Sequence, residues 1–213
     1  MYILKNRRWF YALFFFIIIT LLIVITNLSQ AINSQNIKKV SDQLNFVLQN
    51  QLEKEKSSAL QFALLLSQNE SLIQAMINDD EDQGYEILSK LMHTIATYTQ
   101  TIIRTQIITD ELTIFARSWD NTFAGMPIDE YRPDLRYFQK NTNPRSAIEV
   151  GRKLGFKATV PIYHEKELLG YIEVLQFFEP LASFFQDKGI DTFVLMNDDF
   201  YGVAIFSGIY FCK

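Results

Sequence analysis

The chain has 213 residues, 48% of them hydrophobic and 21% charged, and a formal net charge of −4. That composition excludes a wholly disordered chain, and the acidic balance without a long Lys/Arg run excludes a global electrostatic attraction to nucleic acid. The single cysteine, Cys212, excludes an internal disulfide and says nothing of the redox compartment.

Trp9 to Ile25 reads WFYALFFFIIITLLIVI, with no charged residue. As a helix it spans about 25 Å, and about 30 Å when extended to Leu28, which matches a hydrocarbon core. Lys5, Arg7 and Arg8 precede it, so residues 1–8 are expected to stay in the cytoplasm and the chain from Asn27 onward to be exported. Ser29-Gln30-Ala31 has the small residues of a signal-peptide cleavage site, but the apolar core exceeds the usual h-region of about 7–15 residues, which favours an uncleaved anchor over 9–28. The expected location is the inner (cytoplasmic) membrane, single-pass, with the bulk of the chain periplasmic or extracellular.

Residues 30–78 read as one long helix. Ile37, Val40, Leu44, Val47 or Leu48, Leu52, Ala59, Phe62 or Ala63 and Leu66 recur at helical spacing, with Gln51, Glu55 and other polar residues between them and no Pro or Gly from Ala31 to Asp82. Asn78 to Gly84 is an acidic turn suited to cap a following helix, whose apolar side is Tyr85, Leu88, Leu91, Ile95, Tyr98 and Ile102. The two helices are expected to pack as an antiparallel pair, giving a helical segment over 29–104.

The β-branched and aromatic run Leu112 to Trp119 predicts a strand, Asn121 to Pro127 a loop, and Asp129 to Lys140 a short helix entered near Pro133. Further strands are expected at Ala147–Val150, Phe156–Tyr163 and Leu168–Phe177, the last two joined by the polar turn His164 to Glu167. A short helix follows at Pro180–Gln186 and a fifth strand at Thr192–Met196, leaving 201–213 as a tail too short to span a bilayer. The fold class is α+β, an antiparallel sheet with helices to one side.

Four runs in order, Phe115-Ala-Arg-Ser-Trp119, Tyr131-Arg-Pro-Asp-Leu135, Ser146 to Arg152 and Leu169 to Val174, resemble the periplasmic sensory domains of the Cache superfamily. More narrowly they resemble the double-Cache sensors of chemoreceptors, sensor histidine kinases and diguanylate cyclases. The resemblance implies a PAS-like sheet over 105–200 on a long stalk helix, a small-molecule pocket on that sheet, and signalling by small helix displacements through the membrane. Such receptors carry a second span and an output domain, so the chain resembles a truncated receptor or a fragment of one.

The sequence holds no G-x-S-x-G, H-E-x-x-H or Gly-rich phosphate loop, and His93 and His164 lie far apart. No enzyme activity, metal or cofactor is expected. Arginine among aromatics stands out instead. Arg117 and Trp119 are two apart on one predicted strand; Tyr131 and Arg132, with Arg136 and Tyr137, lie on the short helix; Glu149 and Arg152 flank a turn; Tyr171 and Glu173 share a strand face. A guanidinium grips a carboxylate bidentately, and aromatic walls keep water from the pair. The candidate ligand site is therefore Arg117, Trp119, Tyr131, Arg132, Arg152, Tyr171 and Glu173, for a small organic anion or amino acid. The opposing interpretation is an internal pair, Arg117 with Glu149 or Glu173, that only holds the sheet. The expected partners are the lipid bilayer, a small ligand and a second copy joined through the stalk helix. The alternative function is an anchored coiled-coil or protein-interaction module without a ligand.

Overall fold

A computed structural model describes residues 2–128, 132–150 and 154–194 of the chain. It divides into two compact units, Met1–Asn50 and Gln51–Lys213. The first unit is helix α1, Tyr2–Ser67, as far as Asn50. From Trp9 to Phe46 its side chains are exposed, and its early part is long and apolar enough to cross a bilayer. The hydroxyls that interrupt this apolar surface are satisfied locally. Thr20 donates to the carbonyls of Phe16 and Ile17, and Thr26 to that of Ile23, at 2.9–3.0 Å.

In the second unit α1 contributes a buried row at four-residue spacing: Gln51, Glu55, Ala59 and Ala63. Its upper part is polar, which the apolar periodicity does not anticipate. Gln51 donates to Glu55 Oε1 at 2.9 Å, and Gln176 from the sheet donates to Glu55 Oε2 at 2.8 Å, so both carboxylate oxygens are used. The expected single helix over 30–78 is broken at Gln68. Asn69 accepts from the Leu72 amide and caps a new helix, α2 (Glu70–Ile77), a cap that a search for Pro or Gly overlooks. Asp80 caps α3 (Glu81–Thr99) by accepting from the Gln83 amide, as the acidic turn suggests. The buried side of α3 is Gly84, Leu88 and Met92; Tyr98 in its last turn and Ile102 beyond the left-handed Gln100 are exposed. Gly84 lets α3 approach β2 closely, since a Cβ there would lie 2.7 Å from the Phe115 ring.

The sheet has strands β1 (Ile103–Thr109), β2 (Ile114–Arg117), β3 (Arg145–Val150), β4 (Leu154–His164) and β5 (Glu167–Gln176), in the order β2-β1-β5-β4-β3 with every neighbouring pair antiparallel. A 3₁₀ segment, Pro133–Tyr137, replaces the expected short helix, and α4 is Glu179–Gln186. The α+β class is as expected. The fifth strand is β1, a Thr- and Ile-rich run that follows α3 directly and is easily absorbed into its helical pattern. Thr192, Phe193 and Val194 form no strand; the rest of the strand expected there, and the tail from 201 to 213 with Cys212, lie outside the described residues. β2 stops at Arg117, so Trp119 sits in the following turn and not on the strand.

The two faces of the sheet have different chemistry. One carries Ile107, Ala116, Ala158, Val160, Ile162, Ile172 and Val174, and packs on Ala59, Ala63, Leu66, Leu72, Leu88 and Met92 of the helices. On the other, Ile108 and Tyr171 form a second apolar cluster with Leu112, Ile114, Ile128, Leu135 and Phe138. Beside that cluster the same face turns polar.

Candidate functional site

The register assembles the polar patch. Glu173 on β5 stands opposite Gln106 of β1 and Thr159 of β4; Gln106 stands opposite Arg117 of β2; Arg145 of β3 stands opposite Thr159, and Ala147 opposite Lys157. Alternation along each strand therefore turns Gln106, Arg117, Arg145, Glu149, Lys157, Thr159 and Glu173 to one face.

Arg132 closes over this patch from the segment before the 3₁₀ turn. Pro133 fixes the turn's first residue, and Leu135 and Phe138 anchor it in the second apolar cluster. The Tyr171 hydroxyl donates to the Phe138 carbonyl at 3.0 Å. Arg132 then donates bidentately to Glu173, from Nη1 to Oε1 at 2.8 Å and from Nη2 to Oε2. Its other edge serves Asp134, Nε to Oδ1 at 2.8 Å and Nη2 to Oδ2 at 2.6 Å. Gln106 donates to Glu173 Oε1 at 2.8 Å and accepts from Arg117 Nε at 3.0 Å, while the Thr159 hydroxyl donates to Oε2 at 3.3 Å. Arg145 pairs with Glu149 at 3.0 Å and lies over the Tyr137 ring.

Glu173 has no exposed surface. Burial alone would raise its pKa, but the charge and hydrogen bonds of Arg132 outweigh that and hold it below the usual carboxylate range. The Arg132 pKa is raised, burial being overcome by Glu173 and Asp134. Lys157 differs. Its side chain is buried, its pKa is lowered chiefly by that burial, and its Nζ has no hydrogen-bond partner among the described residues.

Glu149 and Asp134 form a hydrogen-bonded carboxyl pair with opposite shifts. Burial, then the hydrogen bond and charge of Asp134, push Glu149 up to about 7, whereas Arg132 overcomes burial to hold Asp134 at about 2. Between pH 4.5 and 7 the folded chain keeps a proton at Glu149 that the unfolded chain has released. Stability is therefore expected to fall as pH rises through that window, by at most about 3 kcal/mol. Asp134 acts oppositely, its contribution being lost as pH falls from 3.8 through about 2. Urea midpoints measured from pH 4 to 8 should decline for the wild type above pH 5 and stay flatter for Glu149→Gln. A wild-type midpoint that rises over this range would refute the assignment.

Of the expected site residues, the structure brings Arg117, Arg132, Tyr171 and Glu173 onto one face, with Trp119 stacked against Arg117 at 5.4 Å. Arg104 also stacks on Trp119, at 5.3 Å, so the indole lies against two guanidinium groups. Tyr131 and Arg152 lie outside the described residues. Arg117 reaches Glu173 through Gln106, and the guanidinium that grips Glu173 belongs to Arg132. Sequence reasoning missed Gln106, Asp134, Arg145, Lys157 and Thr159. The signal for the last two was present: in Phe156-Lys-Ala-Thr-Val160 they alternate with the apolar face. Among the described residues no three His, Cys, Asp or Glu side chains converge as metal ligands would.

Comparison with known proteins identifies the family. A family profile, dCache_3, the double sensory domain of two-component sensor kinases, matches residues 37–202. Comparison with curated proteins gives no match. Among solved structures, the chain is similar to a domain of a sensory box/GGDEF family protein from Vibrio parahaemolyticus (15% identity, TM-score 0.53, covering 69% of this chain and 62% of that one). It is also similar to the E. coli DcuS sensor domain (15% identity, TM-score 0.50, covering 63% and 97%) and to the V. cholerae histidine kinase DctB sensor domain (18% identity, TM-score 0.47, covering 68% and 62%). It thus spans about three fifths of the two Vibrio structures. With the profile covering well over half of its length, the chain belongs to the double-Cache sensory family.

Proposed function

We propose that this chain is a membrane-anchored, extracytoplasmic sensor module that binds a small organic anion or amino acid and passes the event to the membrane through α1. Lys5, Arg7 and Arg8 ahead of the apolar segment favour a cytoplasmic N-terminus. The observation that carries the ligand class is the polar sheet face, where Arg104, Arg117, Arg132, Arg145 and Lys157 gather beside aromatic rings in a chain of net charge −4. The candidate contacts expected from the sequence are Arg117, Trp119, Tyr131, Arg132, Arg152, Tyr171 and Glu173, of which Glu173 and Tyr171 already spend their polar atoms inside the protein. Arg117 and Trp119 lead, because a ligand meeting Arg132 has to compete with Glu173. Ile37, Val40 and Leu44, exposed and at helical spacing on α1, support pairing of two copies.

The test is thermal stabilisation of the full chain in nanodiscs by a panel of amino acids, organic acids and sugars. An organic acid or amino acid should raise the melting temperature of the wild type, and Arg117→Ala and Trp119→Ala should abolish the shift while remaining folded. Equal shifts in the variants would remove these two residues from the site. No shift from any charged compound would remove the anionic ligand class.

A further inference from the structure

We propose that Lys157 is the receptor for the ligand's carboxylate, an inference that rests on the sensor reading above and names a site residue outside the set derived from the sequence. The argument is one of saturation. Every nearby carboxylate is already engaged by a guanidinium: Glu173 and Asp134 by Arg132, and Glu149 by Arg145. Glu173 also accepts from Gln106 and Thr159, so neither of its oxygens is free for a further donor in good geometry. Lys157 is left as a cation with 3% of its surface exposed and no acceptor for Nζ among the described residues. An ammonium carries three donors, and leaving them unmet in a dry interior is costly.

The position suits a receptor. Lys157 projects from β4 onto the same sheet face as Arg117 and Glu173, and its partner on β3 is Ala147, whose side chain offers Nζ no polar atom. The pKa of Lys157 is lowered first by burial, which the charges of Glu173, Asp134 and Glu149 only partly offset. A carboxylate supplied by a small molecule provides both the charge and the acceptors. An uncharged analogue provides neither.

The experiment uses the full chain in nanodiscs with acetate, succinate and citrate as probes and succinamide as the uncharged counterpart. Lys157→Met removes the cation at similar volume; Lys157→Gln is the polar alternative should the Met variant fail to fold, and circular dichroism checks each. The expected result is that at least one acid raises the wild-type melting temperature while succinamide does not. The acid's affinity should fall roughly tenfold or more in both variants, as for a lost charge-assisted hydrogen bond. Acids that stabilise wild type and variants equally overturn the role of Lys157 and leave the sensor reading intact. Stabilisation by succinamide alone, or by none of the probes, overturns the carboxylate ligand and with it the anionic class proposed for the site.

Discussion

Replacing Arg132 with leucine is expected to destabilise the fold by about 3–5 kcal/mol, because it strands the Glu173 carboxylate in the interior. Glu173 is fully buried, and its two strongest bonds are the parallel pair from Arg132. What remains is a Gln106 amide, a Thr159 hydroxyl and the charge of Lys157, whose buried Nζ makes no hydrogen bond to the carboxylate. Asp134 loses its partner at the same time, but it is the more exposed of the two and costs less. The double variant Arg132→Leu/Glu173→Leu removes both charges and should recover most of the loss. Urea unfolding at pH 7 of the wild type and the two variants checks this. A double variant no more stable than Arg132→Leu would mean that the segment around Pro133, rather than the ion pair, carries the stability.

The second large effect is expected at Gly170, in β5. Its φ of +151° lies in a region that side-chain-bearing residues rarely adopt, and a Cβ there would sit 2.2 Å from the Ile108 carbonyl oxygen and 3.0 Å from Thr109 Cα. These are backbone atoms of β1, so relief requires the strands to part where Thr109 pairs with Gly170. Gly170→Ala is expected to lose about 3 kcal/mol or more. Gly125 is the control. Its φ is +74°, yet nothing lies within 4 Å of a Cβ added there, so Gly125→Ala should cost only about 1 kcal/mol through its backbone conformation. Equal losses at the two positions would discard close approach as the cause.

Some of this architecture is written in single-residue patterns and some is not. The apolar run from Trp9, the strands of the β4–β5 hairpin and the acidic turn that caps α3 each follow from local chemistry, so each was legible. β1 was not, because Ile103 and Ile107 also continue the spacing of the helix before it; only pairing with Glu173 and its neighbours on β5 selects the extended form. The site divides similarly. Arg117, Arg132, Tyr171 and Glu173 could be picked out as chemical types, but their pairing depends on strand order. β1 lies between β2 and β5, which puts Gln106 between Arg117 and Glu173 and leaves the carboxylate to Arg132. Lys157 was missed for the opposite reason. A lysine in a strand is normally an exposed edge residue, whereas β4 lies inside the sheet, between β5 and β3, and Lys157 is buried.

The stacking of Trp119 against Arg104 and Arg117 has a practical consequence. The chain has two tryptophans, and the other, Trp9, lies in the apolar segment of α1. A phenylalanine at position 9 would leave an indole held against two cations as the only strong emitter near the proposed site. Its fluorescence wavelength would then respond to any anion that draws either guanidinium away, giving an optical readout of occupancy without a label.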